Sequence, residues 1–343
     1  MFQIKEITDK NTWEVFNLAS SEPSFLQSWA WGQFQKALGL NIFRLGIFDG
    51  EDLVGISQIY EERAKLGSFF YCSAGPVFKG LDKKKVQTWL EYVGDLVKKH
   101  GGVFLRVDPR KVSETEKNLF VEAGFTEAPE FTQPQCSAII DLTKSEEELR
   151  HNMSSSTRYN VNSAQRKGVR VREGKKSEVG VFLKLLKETA DRKTLVLSAQ
   201  ENYHKKQYET LAAEGLMKLY IAEGNGQPLS AALVVNYADT AYYLHAANSL
   251  EKKNLRASYP LVWHTILQAK RAGLKKFDFW GAAPTEDPKH PWSGVTSFKL
   301  SFGATKECYE SPFDLPYSSK YQLMKVVEIW RRPVRKILRF GSK

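Results

Sequence analysis

Asp108 and Lys36 are the residues whose type and position first suggest chemistry. Asp108 ends the β-rich run Val103-Phe-Leu-Arg-Val-Asp and is followed by Pro109. A carboxylate at a strand end lies where α/β folds commonly gather ligand groups, and it could orient an attacking ammonium. Aspartate before proline also begins many turns, so a turn residue is the alternative interpretation. Lys36 ends a tryptophan-rich block, where its flexible ammonium could neutralise a diphosphate of a substrate.

Other catalytic and cofactor motifs are missing from the sequence. His245 and His264 show neither Hx3H nor HExxH spacing, so we predict no catalytic histidine pair and no metal site. No GxxxxGK(S/T) or GxGxxG phosphate loop occurs, and the segment 248–260 contains no glycine. Cys72, Cys136 and Cys308 lie far apart without a CxxC pair, and we interpret all three as packing residues and not as a disulfide or zinc site.

Basic residues dominate the charge, and the formal net charge is +11 at pH 7. This excess favours phosphate-bearing partners, whether RNA, nucleotide-linked substrates or anionic lipids. One basic cluster is either a solvated helix face or a contact for tRNA phosphates. It consists of Arg158, Arg166, Lys167, Arg170 and Arg172.

The C-terminal segment is basic and amphipathic. Its basic residues are Lys320, Lys325, Arg331, Arg332, Arg335, Lys336, Arg339 and Lys343. They are interleaved with apolar residues and accompanied by one acidic residue, Glu328. Such a segment could lie on an anionic membrane, dock on its own protein, or grip tRNA. Pro333 predicts a bend after Arg332 and not one continuous helix.

The elements that must position these residues occur twice. Segment 44–57 resembles 218–232, and each reads as strand, tight turn and strand, with glycine-containing turns at 49–50 and 224–226. A helical pattern ending near glycine follows in both halves. Asp108 and Asp278 then end equivalent strands, before a short helix and a last strand. This order is that of a GNAT-like acyltransferase unit.

Length and patterning therefore predict an α/β (α+β) protein with two tandem, duplicated GNAT-like domains. The chain of 343 residues fits two domains, which we place at 1–150 and 151–318, with the basic tail at 319–343. Ser145 and Glu148 form a candidate capping box near the boundary. The start of the sequence reads neither as a signal peptide nor as a transmembrane span, so we expect a cytoplasmic protein.

Four blocks of the sequence resemble, in order, the signatures of the Fem family of peptidoglycan-bridge aminoacyltransferases. They are SFLQSWAWGQFQK at 24–36, SSSTRYN with AQRKGV at 154–169, FDFWG at 277–281 and FKLSFG at 298–303. The resemblance implies transfer of an amino acid from aminoacyl-tRNA to the side-chain amine of a peptidoglycan stem peptide. Members that act on the lipid-linked precursor often carry a long helical arm, but residues 174–216 leave no room for one. In size the chain instead resembles armless members, which accept the nucleotide-linked precursor.

The resemblance also implies roles for individual residues. Lys299 matches the position that stabilises the oxyanion, and Asp108 would orient the attacking amine, which makes these the two candidate catalytic residues. The candidate substrate-binding residues are Lys36, Tyr243, Arg158, Trp31 and Phe298. We expect aminoacyl-tRNA as co-substrate, no cofactor and no metal, and a UDP-linked or lipid-linked muropeptide precursor as acceptor. We also expect the protein to be a monomer that contacts the inner membrane surface peripherally.

Two other functions compete with this prediction. The first is a CoA-dependent N-acetyltransferase of small amines, which the glycine-free segment 248–260 disfavours, because acetyl-CoA enzymes of this fold place a glycine-rich pyrophosphate loop there. The second is a catalytically inactive scaffold that binds RNA or membrane. The joint presence of Lys299, Asp108 and Lys36 argues against the scaffold.

Overall fold

The chain divides into two compact units. The structure, a computed structural model, describes residues 2–64, 66–189 and 194–340, with side chains for 2–64, 66–188 and 201–330. The first unit comprises Met1–Gln135 and Tyr309–Arg339, and the second comprises Cys136–Cys308. The second unit is therefore an insertion within the first. Each unit contains helices and a mixed sheet, which confirms the predicted fold class.

The first half of the chain follows the predicted order of hairpin, helix and strand. Its strands are β1 (Phe2–Glu6), β2 (Ile42–Asp49), β3 (Asp52–Ala64), β4 (Gly67–Ser73), β5 (Val77–Phe78), β6 (Gly102–Asp108), β7 (Thr126–Glu127) and β8 (Cys136–Asp141). Its helices are α1 (Lys10–Leu18), α2 (Trp29–Ala37), α3 (Lys83–Lys99) and α4 (Glu114–Glu122). Gly50 has a positive φ of 61° in the β2–β3 turn, which explains the glycine there.

The second half repeats this order. Its helices are α5 (Glu146–Asn152), α6 (Ser155–Arg166), α7 (Val179–Thr189), α8 (Thr194–Ala213), α9 (Ser258–Arg271), α10 (Ser293–Leu300) and α11 (Lys320–Phe340). Its strands are β9 (Arg170–Glu173), β10 (Met217–Gly224), β11 (Gln227–Tyr237), β12 (Thr240–Asn248), β13 (Lys276–Asp278), β14 (Thr305–Cys308) and β15 (Phe313–Pro316). The predicted capping box begins α5, where Ser145 and Glu148 exchange side-chain to backbone hydrogen bonds.

Helices α3 and α9, which the helical patterns predicted, pack on the sheets through apolar faces. Trp89 and Val93 of α3 lie in the core of the first unit, and Ile266 of α9 lies in that of the second. Helices α7 and α8 occupy the segment in which an arm would be inserted. Their residues Phe182 and Leu211 are fully buried, so both helices pack on the unit.

The two sheets have the same strand order, but their last strands are exchanged. The first sheet runs β1-β2-β3-β4-β6-β15-β7, with β5 paired to β3, and the second runs β9-β10-β11-β12-β13-β8-β14. Strand β15, from the second half of the sequence, pairs with β6 in the first unit. Strand β8, from the first half, pairs with β13 in the second unit. Each half of the sequence therefore completes the sheet of the other unit.

This exchange corrects two sequence expectations. The division into 1–150, 151–318 and a tail differs from the structural units, because the repeat in the sequence and the units in space have different boundaries. Cys136 and Cys308 are disulfide-bonded, contrary to the interpretation of all cysteines as packing residues. They are register partners on β8 and β14, a pairing that exists only because β8 joins the second sheet. Cys72 is a free, buried cysteine.

The C-terminal segment is also an integral part of the first unit. Helix α11 runs from Lys320 to Phe340, so the prediction that Pro333 prevents one continuous helix is wrong. Most of the segment predicted as a separate tail clusters with the first unit. Tyr321 and Met324 are buried against the unit. Arg106 of β6 binds Asp314 at 2.7 Å and Glu328 of α11 at 2.9 Å, which fixes the helix to the sheet. Within the described residues, no helix has the length and apolar composition needed to cross a bilayer.

Candidate active site

The two predicted strand-end aspartates occupy equivalent places in their sheets. In the first unit β4 and β6 are parallel, and Asp108 is the register partner of Ser73. In the second unit β12 and β13 are parallel, and Asp278 is the register partner of Tyr242. Asp108 and Asp278 are the last residues of their strands. Both carboxylates therefore lie at the carboxyl end of a parallel pair, where this type of sheet carries ligand groups.

Asp108 is a buried carboxyl group with a tyrosine partner. It is 2% exposed, and the Tyr71 hydroxyl donates a hydrogen bond of 2.8 Å to it. Burial raises the pKa of Asp108, while Arg110, Tyr71 and Arg106 oppose this shift. Such a carboxyl group holds its charge at an energetic cost, so it is suited to accept a hydrogen bond from a cationic amine.

Asp278 shapes the turn that follows β13. Its Oδ1 accepts hydrogen bonds from the Trp280 backbone N–H at 2.7 Å and from the Ser137 hydroxyl. Trp280 has a φ of 52° and Gly281 a φ of 83°. The left-handed region is unfavourable for a residue as large as tryptophan, and such strained residues cluster at functional sites. The Asp278 carboxylate helps to hold this strained turn in place.

Lys299 of α10 is held by the same turn. Its Nζ donates to the backbone oxygens of Trp280, at 2.7 Å, and of Gly281. Burial lowers the pKa of Lys299 to about 8, and the nearby Asp278 carboxylate partly offsets the effect. A protonated lysine has three N–H donors, so one remains beside the two carbonyls for a ligand. The structure thus presents a desolvated, oriented ammonium.

The other predicted site residues of the second unit have structural partners. Tyr243 lies in the apolar core near Phe277 and Phe279, and burial raises its pKa. Phe298 packs edge-to-face on Tyr259 and Phe302.

Arg158 donates to the carbonyl oxygens of His151, at 2.8 Å, and Met153, so it caps the end of α5. Arg172, in the same basic cluster, pairs with Glu178 and Glu223. The contacts of these two arginines are thus within the protein.

The two predicted residues of α2 differ in exposure. Lys36 is exposed in the last turn of the helix. Trp31 is 4% exposed and packs on Phe25 and Phe34. Within the described residues the indole N–H of Trp31 is buried without an acceptor. Buried polar groups are nearly always hydrogen-bonded, so this donor is a candidate ligand contact in the first unit.

The structure also identifies site residues that the sequence interpretation missed. Tyr71 and Ser137 bind the two strand-end carboxylates, yet neither stands in a recognisable motif. Ser137 belongs to the exchanged strand β8, so its partnership with Asp278 has no local signal.

His245 has a histidine neighbour that the sequence does not suggest. Its ring centroid lies 4.3 Å from that of His204, and burial lowers the pKa of both rings. His264 instead lies beside Tyr220.

Comparison with known proteins identifies the family of the chain. The model of the FemAB family matches residues 8–225 and 215–328. The chain belongs to the FemAB family. It is 20% identical over 363 residues to the Lipid II:glycine glycyltransferase of Staphylococcus epidermidis, covering 84% of this chain and 87% of that protein. It is 27% identical over 176 residues to the aminoacyltransferase FemB of S. epidermidis, covering 45% of this chain and 42% of that one.

The fold of this FemAB-family chain is shared with a solved family structure. The crystal structure of FemX superposes with a TM-score of 0.80 at 18% identity, covering 94% of this chain and all of that one. Together with the family match and the transferase relatives, the duplicated fold shows that the chain is an acyltransferase.

Proposed function

We propose that the chain transfers an aminoacyl group from aminoacyl-tRNA to the side-chain amine of a peptidoglycan stem peptide. The observation that carries this proposal is the half-buried Lys299 ammonium, which the strained Trp280–Gly281 turn orients while leaving one N–H donor for a ligand. The relatives support the choice of substrate class, since one is named for a glycine transfer to lipid II.

The chemistry requires stabilisation of one developing negative charge. The acceptor amine attacks the ester carbonyl of the aminoacyl-tRNA, the new C–N bond forms, and the carbonyl oxygen becomes an oxyanion. The C–O bond to the tRNA ribose then breaks, and the amine proton passes to the departing ribose oxygen. A preorganised cation in a desolvated place stabilises such an oxyanion. We assign this role to Lys299.

Asp108 and Lys36 are proposed for the acceptor. The acceptor amine is protonated in water, and the buried Asp108 carboxyl group can bind it as an ammonium before that ammonium releases one proton to water and attacks. Lys36 is exposed at the end of α2, where it can reach the diphosphate that both precursor forms contain. Because both precursor forms contain this diphosphate, a contact with Lys36 does not distinguish the UDP-linked from the lipid-linked acceptor. An experiment must decide between them.

The test is an assay of the purified full chain with charged total tRNA and each precursor form in separate reactions. Mass spectrometry of the stem peptide should show the mass of one or more added aminoacyl groups, and prior ribonuclease treatment should abolish the product. The precursor form that is modified identifies the acceptor. A parallel reaction with acetyl-CoA and the same acceptors tests the acetyltransferase alternative. Acetylation without aminoacylation would overturn the proposal.

A further inference from the structure

Helix α11 has an apolar face that the described residues of the first unit leave exposed. Tyr321 and Met324 are buried on its inner side, whereas Leu323, Val326 and Trp330 are 54%, 48% and 76% exposed. These three residues are spaced by three and four positions, so they lie on one side of the helix. Trp330 is the most exposed large hydrophobic residue among the described side chains.

The inner side of the helix is held to the sheet by hydrogen bonds. Arg106 donates two hydrogen bonds to Glu328, at 2.9 and 3.0 Å, and the Tyr321 hydroxyl donates to Asp314 at 3.1 Å. These contacts fix the rotation of α11 about its axis. The apolar face therefore points away from the unit that holds the helix, and a contiguous exposed apolar patch of this kind marks an interaction surface.

The charge of the helix indicates what that surface meets. Its sequence contains seven basic residues, namely Lys320, Lys325, Arg331, Arg332, Arg335, Lys336 and Arg339. Its single acidic residue, Glu328, is paired with Arg106 on the inner side of the helix. A helix with apolar residues, a tryptophan and an excess of positive charge has the composition of helices that lie in the interface of anionic membranes. RNA would attract the charge but would leave the aliphatic residues without a partner.

We propose that α11 is a membrane-surface helix, whose outward apolar residues enter the headgroup region of an anionic bilayer. The basic residues attract anionic lipid headgroups and so place the first unit on the membrane. This inference goes beyond the proposed transfer reaction and stands whether the acceptor is nucleotide-linked or lipid-linked.

The test is flotation of the full chain with vesicles of phosphatidylglycerol and phosphatidylcholine, compared with vesicles of phosphatidylcholine alone. Binding should be at least tenfold stronger to the anionic vesicles and should weaken with salt. The variant L323S/V326S/W330S should bind at least tenfold more weakly. A matched control is V15S/L18S, which removes two apolar side chains of α1 that are 60% and 47% exposed. The control should bind as the wild type does.

A second measurement does not depend on the triple variant. Trp330 fluorescence should be quenched by vesicles with brominated acyl chains, and this component should vanish in Trp330→Phe. Equal binding to both vesicle types, full binding by the triple variant, or no quenching of Trp330 would each overturn the proposal. It would also be overturned if the triple variant lost tRNA binding while keeping vesicle binding.

Discussion

Asp108 and Asp278 end equivalent strands of two equivalent sheets, yet their surroundings differ. Asp108 accepts a hydrogen bond from the Tyr71 hydroxyl and has a pKa raised by burial. Asp278 accepts hydrogen bonds from Ser137 and from the Trp280 backbone, and the turn that it shapes binds Lys299. The two halves thus share the position of the carboxylate but differ in its hydrogen-bond partners. In the first unit the carboxyl group accepts a hydrogen bond from a buried tyrosine, whereas in the second it holds the turn whose carbonyl groups bind Lys299.

The largest expected effect comes from removing that lysine. Lys299→Met should lower turnover by about 10²–10³, the range for loss of one oxyanion donor, with little change in acceptor binding. Steady-state kinetics of the transfer assay measure both quantities. Lys289→Met, an exposed lysine in the loop before α10, is the control and should retain wild-type turnover. Near-normal turnover of Lys299→Met would remove the oxyanion role.

Of the two strand-end carboxylates, that of Asp278 in the second unit should contribute more to the free energy of unfolding. Asp278→Ala leaves the Ser137 hydroxyl and the Trp280 N–H without this acceptor, and should cost about 2–6 kcal/mol in free energy of unfolding, at about 1–3 kcal/mol for each group. Urea unfolding measures the change. A loss below about 1 kcal/mol would show that the turn holds its strained shape without Asp278.

The pH dependence of turnover should report the lowered pKa of Lys299. With a pKa of about 8, the ammonium is the main form below that pH and is lost above it. At pH 9 only about a tenth remains protonated, so the turnover of the wild type relative to Lys299→Arg should fall about tenfold between pH 7 and pH 9. The ratio cancels the titration of the acceptor amine.

The lowered pKa of Lys299 also predicts how the free energy of unfolding changes at alkaline pH. The folded pKa of Lys299 lies below its ordinary value of 10.5, so the folded state binds fewer protons between pH 8 and 10.5. The contribution of Lys299 to stability therefore rises with pH across that window. For the turnover prediction, a ratio of wild type to Lys299→Arg that stays constant between pH 7 and pH 9 would contradict the assigned protonation state of Lys299.

The smallest expected effect is on stability at Asp108. Asp108→Ala leaves one buried hydroxyl, that of Tyr71, without its acceptor, but it also removes a charge that burial disfavours. The two effects oppose each other, so the net loss should be about 1 kcal/mol or less at neutral pH. Transfer activity should nevertheless fall if Asp108 binds the acceptor amine. A stability loss as large as that of Asp278→Ala would mean that both carboxylates are structural.

Local patterns in the sequence predicted much of the fold. The glycine-containing turns, the apolar spacing of α3 and α9 and the Ser145 capping box are encoded within a few residues, and all are present. The equivalence of Asp108 and Asp278 followed from the repeat. The strand exchange could not be predicted, because an in-register repeat fits strands that stay in their own half equally well. The disulfide and the Ser137 contact depend on that exchange and were missed with it.

The site was predicted only in part for a related reason. The resemblance pointed to Lys299, but the carbonyl groups that orient it depend on a left-handed tryptophan, and no sequence rule assigns that conformation to Trp280. Arg106 and Glu328 are 222 positions apart, so the docking of α11 had no local signal either.

The insertion of one unit within the other has a consequence for synthesis on the ribosome. All strands of the second sheet lie between Cys136 and Cys308, so that unit can close as soon as this segment has emerged. The first sheet must wait for β15, near the end of the chain, and until then the edge of β6 has unpaired backbone groups. Domains usually fold in order from the N-terminus. Here the N-terminal unit is completed last, and nascent chains are most exposed to edge pairing and aggregation during that delay.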